Sequence, residues 1–227
     1  MILHPTGRFD NAPADNREIE VRPLAAAMGA QIVGVQLARL TEAQFPEVRA
    51  ALFRHKMIYF RGQTVSHADQ EAFSLRFGPF APDAYTKGVD GHPDVQPVIR
   101  EADERPGVIF GSGWHTDSPF LPAPPAISML YGVEIPPWGG DTIWANSALA
   151  YAALSETMKA MLAPLKVRMS MKTVLETAQA YQAPDNTPIG RVAATRGHEL
   201  PPEIVRKVDG SGHPLVRTHP VTGEKAL

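Results

Sequence analysis

The first third of the chain alternates short apolar runs with segments whose apolar residues recur at helical spacing. β-branched residues cluster on both sides of Met28 and Gly29, which indicates two short strands joined by a turn. Thr41 and Ser66 each stand just before a helical pattern, as residues that cap helices do. The pattern therefore predicts strands at 19–22, 31–35 and 57–60, and helices at 41–55 and 66–77.

The pattern changes from residue 95 onward. Apolar runs there are separated by turns rich in proline and glycine, which favours strands. Helical spacing returns near residue 147, and Ser155 is suited to cap a helix that ends before Pro164. We predict strands at 95–99, 127–133, 142–144 and 165–169, and helices at 147–154 and 155–162. Residues 171–210 favour neither helix nor strand.

The ends of the predicted domain carry helices and its middle is all-β. Residues 1–18 are polar and rich in proline, asparagine and aspartate, so we predict a flexible leader there. A chain of 227 residues with 44% hydrophobic content is expected to form one substantial core. We therefore predict a single domain at residues 19–227.

Composition excludes several classes of function. The formal net charge is −2, without the basic excess that binding to a phosphate backbone needs, so nucleic acid is not an expected partner. The absence of cysteine excludes disulfides, a cysteine nucleophile and thiolate metal sites. No apolar run resembles a signal peptide or reaches membrane-spanning length. We expect a cytoplasmic protein with no membrane contact, whose metal ligands, if any, are His, Asp or Glu.

The strongest candidate for chemistry is the Gly-Trp-His-Thr-Asp-Ser stretch at 113–118. On an extended segment, residues two apart point to the same face, so His115 and Asp117 can meet one ion. Imidazole and carboxylate are the ligands of an Fe(II) facial triad, which needs two histidines and one carboxylate and leaves positions open. The pair alone is a weak signal, because a hydrogen-bonded surface histidine beside an aspartate gives the same pattern.

Longer motifs give this pair its context. They run in a fixed order along the chain and include Trp-His-Thr-Asp at 114–117 and Gly-Gly-Asp-Thr-Ile-Trp at 139–144. The other matching stretches are 29–34, 52–62, 73–78, 125–126, 150–155 and 217–223. In order and spacing the chain resembles the taurine dioxygenase (TauD/TfdA) family, from residue 19 to residue 227.

The resemblance implies an α+β fold with a mainly β core, a double-stranded β-helix or jelly roll with helices packed outside. It implies that His115 and Asp117 are two ligands of Fe(II), and that Thr142 binds a carboxylate of the cosubstrate 2-oxoglutarate. Read without the resemblance, Thr142 is an ordinary strand residue. The implied activity is hydroxylation with O2, with release of succinate and CO2. Homo-oligomers are common in the family, and we expect one here.

Two functional residues of the family fall outside this match. A distal iron-binding histidine and an arginine for 2-oxoglutarate follow the segment that corresponds to residues 219–227, so we expect the chain to lack the C-terminal part of the domain. Three later histidines are expected to have surface or turn roles: His198, His213 and His219. Four earlier ones are expected to be solvated: His4, His55, His67 and His92.

The expected substrate is a small organic anion: a taurine-like sulfonate, an alkyl sulfate or a carboxylate. Family members that act on taurine have a histidine soon after the Phe-Gly at 77–78 and an asparagine before the His-x-Asp pair. This chain has neither, which argues against taurine itself. Four residues are expected near the substrate: Asp83, Tyr85, Ser118 and Phe120. The alternatives are a loop acid, a core aromatic, a turn residue and a core aromatic, respectively.

Two other classes of function fit parts of the pattern. A non-catalytic jelly-roll homologue would serve as a binding or partner module, and it fits the missing third ligand. A zinc metallohydrolase would use His115 and Asp117, yet the sequence lacks the further His or Asp cluster typical of such sites.

Overall fold

The computed structural model describes residues 9–81, 88–99, 113–172, 206 and 208–227. The chain divides into two compact units. The first unit comprises Met1–Phe73, Tyr131–Leu165 and Pro214–Leu227, and the second comprises Ser74–Leu130 and Lys166–His213. The single domain expected from residue 19 onward stays a prediction.

A three-stranded sheet forms the centre of the first unit. Its strands are β1 (Glu20–Pro23), β2 (Ala30–Val33) and β3 (Ile58–Phe60), in the order β1-β2-β3. β1 pairs with β2 in antiparallel fashion, and β2 pairs with β3 in parallel. A parallel pair needs a crossover, and helix α1 (Gln44–His55) supplies it between β2 and β3. The three strands predicted in this region are confirmed.

Helix α1 is amphipathic and packs on the sheet. Val48, Ala51 and His55 are its buried residues, and their spacing places them on one face. The helix is preceded by a reciprocal pair of bonds, in which the N–H of Gln44 donates to the Thr41 hydroxyl and the N–H of Thr41 donates to the Gln44 side chain, each at 3.2 Å. This is the capping arrangement that Thr41 predicted.

Helix α2 (His67–Leu75) begins with a similar reciprocal pair of capping hydrogen bonds. The N–H of Asp69 donates to the Ser66 hydroxyl, and the N–H of Ser66 donates to the Asp69 carboxylate. Phe73 of this helix lies edge-on to Phe45 and Phe60, with ring centroids 6.5 and 6.3 Å away. Edge-to-face contacts of this kind stabilise a core beyond simple burial.

Part of the expected leader packs inside the first unit. Asn11 is buried, and its amide donates to the carbonyls of Ala25 at 2.6 Å and Gly29 at 3.0 Å. Its carbonyl oxygen lies 2.7 Å from Nδ1 of His55. The expectation that His55 is solvated is wrong, because it is 1% exposed and Asn11 provides the partner that a buried imidazole needs.

The rest of the first unit consists of short elements. Helix α3 (Ser147–Ala152) packs against β7 (Lys225–Ala226), and β7 pairs with β6 (Arg217–Thr218). Asn146 caps α3 by accepting from the N–H of Leu149 at 3.0 Å, and its amide donates to the Ala27 carbonyl at 2.8 Å. Ser155 caps helix α4 (Glu156–Leu162), as predicted.

In the second unit, the strand predicted at 165–169 is confirmed as β4 (Lys166–Met169). β4 forms a two-stranded sheet with β5 (Ser211–Pro214). Arg168 of β4 bonds the Asp209 carboxylate at 2.8 Å. The buried apolar residues of this unit include Phe120, Leu121 and Val208.

Three predicted strands, at 95–99, 127–133 and 142–144, are wrong. No described residue in these segments belongs to a strand, and Leu130, Val133 and Ile143 are 72%, 83% and 71% exposed. A strand requires a ladder of backbone hydrogen bonds to a neighbouring strand, and none of the sheets formed by the described residues includes these segments. The described structure is therefore a mixture of helices and short sheets. Within it, no helix is both long enough and apolar enough to cross a bilayer.

Candidate functional site

His115 and Asp117 converge in the second unit. Nε2 of His115 lies 3.5 Å from Oδ1 of Asp117, and the two side chains are 54% and 51% exposed. Residues 114–116 belong to no strand, so the pair does not lie on a hydrogen-bonded strand. The two side chains nevertheless face each other and remain open to solvent.

A local hydrogen bond determines which nitrogen of His115 is available. Nδ1 lies 2.7 Å from the carbonyl oxygen of Gly113. Because a carbonyl only accepts, Nδ1 carries the proton of the neutral ring, and Nε2 keeps its lone pair. Metal-binding histidines are commonly oriented in this way, with the second nitrogen donating to a backbone carbonyl. His115 is therefore prepared to bind an ion through Nε2.

Asp117 also has one oxygen engaged and one directed at its partner. The Ser128 hydroxyl donates to Oδ2, whereas Oδ1 faces His115. The sequence reasoning did not nominate Ser128, which lies eleven residues further along the chain. The only available signal was a polar residue between Ile127 and Met129 in an otherwise apolar run.

The pair fits a divalent metal ion. Nitrogen and oxygen ligands lie about 2.1 Å from such a metal, so two of them at right angles are about 3 Å apart. The observed distance of 3.5 Å between Nε2 and Oδ1 would have to shorten only slightly for both atoms to bind one ion. Imidazole with carboxylate is also the donor set of a non-haem Fe(II) site. Among the described residues, no group of three His, Asp or Glu side chains is placed to hold a metal.

The similarity of this chain to known proteins extends over nearly its whole length. A family model described as taurine catabolism dioxygenase TauD, TfdA family matches residues 20–227. The chain belongs to the TauD/TfdA family. The resemblance that the motifs indicated is confirmed.

Individual TauD/TfdA relatives show how far the likeness extends. An alpha-ketoglutarate-dependent sulfate ester dioxygenase of Pseudomonas putida is 35% identical over 92% of this chain and 65% of its own length. An alkylsulfatase of Acinetobacter baylyi is 32% identical over 93% of this chain and 62% of its own. A taurine dioxygenase structure from Burkholderia xenovorans is 35% identical, with a TM-score of 0.67 over 93% of this chain and 62% of that one. The chain shares that fold, and it spans less than two thirds of each relative's length.

The other residues that the TauD/TfdA pattern suggested are placed as follows. Thr142 is exposed and lies in the first unit, outside any strand. Ser118 directly follows Asp117 and has a φ of 44°, which turns the chain immediately after Asp117. Phe120 is 2% exposed, as its alternative role of core aromatic requires. Asp83 and Tyr85 lie outside the described residues. The substrate and cosubstrate roles stay predictions.

The remaining histidines supply no further ligand to the described part of the site. Nδ1 of His219 accepts from the N–H groups of Val221 and Thr222, at 3.2 and 3.1 Å, so this ring organises a turn. His213 lies in β5, and His67 and His92 are partly buried. His4 and His198 lie outside the described residues.

Proposed function

We propose that this protein is an Fe(II)- and 2-oxoglutarate-dependent dioxygenase that hydroxylates a small organic anion. One observation carries the proposal. Nε2 of His115 and Oδ1 of Asp117 face each other at 3.5 Å, each with its second polar atom held by the protein. The pair lies in the Trp-His-Thr-Asp motif of a chain that belongs to the TauD/TfdA family.

In this proposal His115 and Asp117 hold the iron. The bound iron and 2-oxoglutarate supply the activation of O2 for C–H hydroxylation, with release of succinate and CO2. The chain's part is to present two ligand atoms and leave the neighbouring positions open. The half-exposed side chains of the pair leave room for cosubstrate and substrate. The family pattern places a second histidine and an arginine after the segment that matches residues 219–227.

Thr142 is proposed to bind one carboxylate of 2-oxoglutarate. Its side chain is exposed, so the hydroxyl is accessible to a ligand. Gly139 and Gly140, just before it, have φ of 81° and 71°, a left-handed conformation that suits glycine. These glycines determine the backbone direction that leads to Thr142. We further propose that the domain adopts the double-stranded β-helix of its family.

A sulfate ester is the proposed substrate class. The support comes from the two relatives, a sulfate ester dioxygenase and an alkylsulfatase, which are 35% and 32% identical to this chain. Hydroxylation of the carbon attached to the ester oxygen gives a hydroxy sulfate. That product collapses to an aldehyde and free sulfate. One molecule each of O2 and 2-oxoglutarate is consumed for each sulfate released.

The test uses the protein expressed from its complete reading frame. Purified protein is loaded anaerobically with Fe(II), supplied with 2-oxoglutarate and a medium-chain alkyl sulfate, and then exposed to O2. Succinate, aldehyde and sulfate are quantified and should appear in equal amounts. His115→Ala and Asp117→Ala should each lower succinate formation by more than about 100-fold, since even an outer-shell partner of a metal is worth about 10–100-fold. His219→Ala, at a histidine that organises a turn, is the matched control and should retain turnover.

Three results would contradict the proposal. Folded, iron-treated wild-type protein that forms no succinate would favour a non-catalytic binding module. Sulfate release without 2-oxoglutarate would indicate a hydrolase. Normal turnover by His115→Ala would place the metal elsewhere.

A further inference from the structure

The two oxygens of the Asp117 carboxylate have different environments. Oδ1 faces Nε2 of His115 at 3.5 Å. Oδ2 accepts a hydrogen bond from the Ser128 hydroxyl. All three residues belong to the second unit, and Asp117 is 51% exposed. A half-exposed carboxylate can rotate about its Cβ–Cγ bond, so the hydrogen bond from Ser128 fixes the orientation in which the carboxylate faces His115.

We infer that Ser128 is a positioning residue for the metal, one that makes Asp117 a ligand through Oδ1 alone. This inference rests on the proposed function. Asp117 is an acceptor with two oxygens, and nothing in its own chemistry makes it bind through only one of them. The hydrogen bond from Ser128 holds Oδ2 turned toward the serine, so Oδ1 is the oxygen that faces an ion beside Nε2 of His115.

Single-oxygen binding matters because the reaction needs open positions on the metal. A facial triad uses three positions and leaves the others for cosubstrate and oxygen. A carboxylate that bound through both oxygens would take one of those positions. Ser128 therefore has the same relation to Asp117 as the Gly113 carbonyl has to His115, since each holds the second polar atom of a ligand. Outer partners of this kind commonly tune metal affinity.

The experiment measures metal affinity rather than turnover. Protein from the complete reading frame, free of metal and oxygen, is titrated with Co(II), and binding is followed by the cobalt absorption spectrum. Four proteins are compared: wild type, Ser128→Ala, Ser128→Thr and Ser170→Ala. Ser170 is the matched control, because its hydroxyl also makes a hydrogen bond in the second unit, to the Val208 carbonyl at 3.2 Å.

Ser128→Ala should raise the Kd for Co(II) about tenfold or more, because no hydrogen bond then holds the Asp117 carboxylate in its binding orientation. It should also shift the absorption bands, because the second oxygen is then able to approach the metal. Ser128→Thr keeps the hydroxyl and should bind within about threefold of wild type, as should Ser170→Ala. The urea midpoint of metal-free Ser128→Ala should equal that of wild type, which separates positioning from a structural role.

An unchanged Kd and spectrum in Ser128→Ala would overturn the inference and leave the proposed function intact. A loss of affinity that Ser128→Thr does not restore would also overturn it. If wild type itself binds no Co(II), both the inference and the proposed function fail.

Discussion

At the scale of single residues, the candidate site consists of side chains whose second polar atom is already bound. Nδ1 of His115 donates to Gly113, and Oδ2 of Asp117 accepts from Ser128. Each proposed ligand thus presents one atom in a set orientation, so binding of an ion would require little further ordering. Thr142 differs, because its exposed hydroxyl is available to a ligand and its proposed partner is the cosubstrate.

Replacing Thr142 tests that role. Thr142→Val keeps the shape of the side chain and removes the hydroxyl. A hydrogen bond to a charged group contributes roughly 1.5–3 kcal/mol, so the KM for 2-oxoglutarate should rise about tenfold or more, with a smaller change in kcat. Steady-state kinetics at varied 2-oxoglutarate measures this. Thr142→Ser retains the hydroxyl and should stay close to wild type, and equal KM values for all three proteins would exclude the role.

At the scale of elements, local capping and close backbone contacts determine where helices and strands begin. Thr41 bonds with Gln44 at the start of α1, and Ser66 bonds with Asp69 in the first turn of α2. Glu47 in α1 has a further role, since its carboxylate accepts from three backbone N–H groups. These are the N–H groups of Arg17, Glu18 and Ile19, at 3.0, 2.9 and 3.2 Å. These hydrogen bonds hold the pKa of Glu47 below its usual range, and the bond from Arg17 has the largest effect. They attach the segment before β1 to the helix.

Gly210, just before β5, allows the backbone to approach β4. It has a φ of 109°, and a Cβ atom there would lie 2.1 Å from the carbonyl oxygen of Met169. Gly210→Ala should therefore lower the free energy of unfolding by at least about 2 kcal/mol, through strain and displaced backbone. Urea denaturation measures the change.

Gly212 in β5 provides the control for this prediction. A Cβ atom at Gly212 would meet nothing within 4 Å. Gly212→Ala should change the free energy of unfolding by less than about 1 kcal/mol. If the two alanine variants unfold at the same urea concentration, the close approach at Gly210 does not limit stability.

At the scale of the whole molecule, the described chain forms two compact units, with His115 and Asp117 in the second and Thr142 in the first. The first unit also contains the buried pair of His55 and Asn11. Because the Asn11 amide donates to two carbonyls, its own carbonyl oxygen is the acceptor and Nδ1 of His55 is the donor. Cytoplasmic location and a homo-oligomeric state stay predictions at this scale.

The stability of the molecule should depend on pH through His55. Burial lowers the pKa of His55, and the nearby positive charge of Arg54 lowers it further. The unfolded chain therefore takes up a proton near pH 6.5, before the folded chain does. Stability is fully present above about pH 6.5 and declines as pH falls towards the folded pKa, with a slope of at most about 1.4 kcal/mol per pH unit.

Urea midpoints measured between pH 5 and 8 test this expectation. His55→Gln lacks the titrating ring and should be less stable than wild type at pH 8, with a flatter pH profile below pH 6.5. His219→Gln, at an exposed position in the turn before β7, should keep the wild-type slope. A steep slope that persists in His55→Gln would assign the pH dependence to other groups.

The sequence by itself determined the elements whose signals are local. The caps of α1, α2 and α4 and the spacing of His115 and Asp117 depend on residues within a few positions of each other. The strands β1 to β3 were indicated by local runs of β-branched and apolar residues. The motifs that carry the family membership can likewise be read along the chain. Local patterns could predict these because caps and periodicity act over one or two helical turns.

The tertiary structure alone decided which residues meet across longer separations. His55 is buried because Asn11, 44 residues earlier, reaches its ring, and Asp117 is oriented by Ser128, eleven residues later. The apolar runs at 95–99, 127–133 and 142–144 suit strands, yet the described residues give them no ladder partner. Strand pairing, burial and second hydrogen-bond partners depend on distant parts of the chain, and a one-dimensional pattern does not record them.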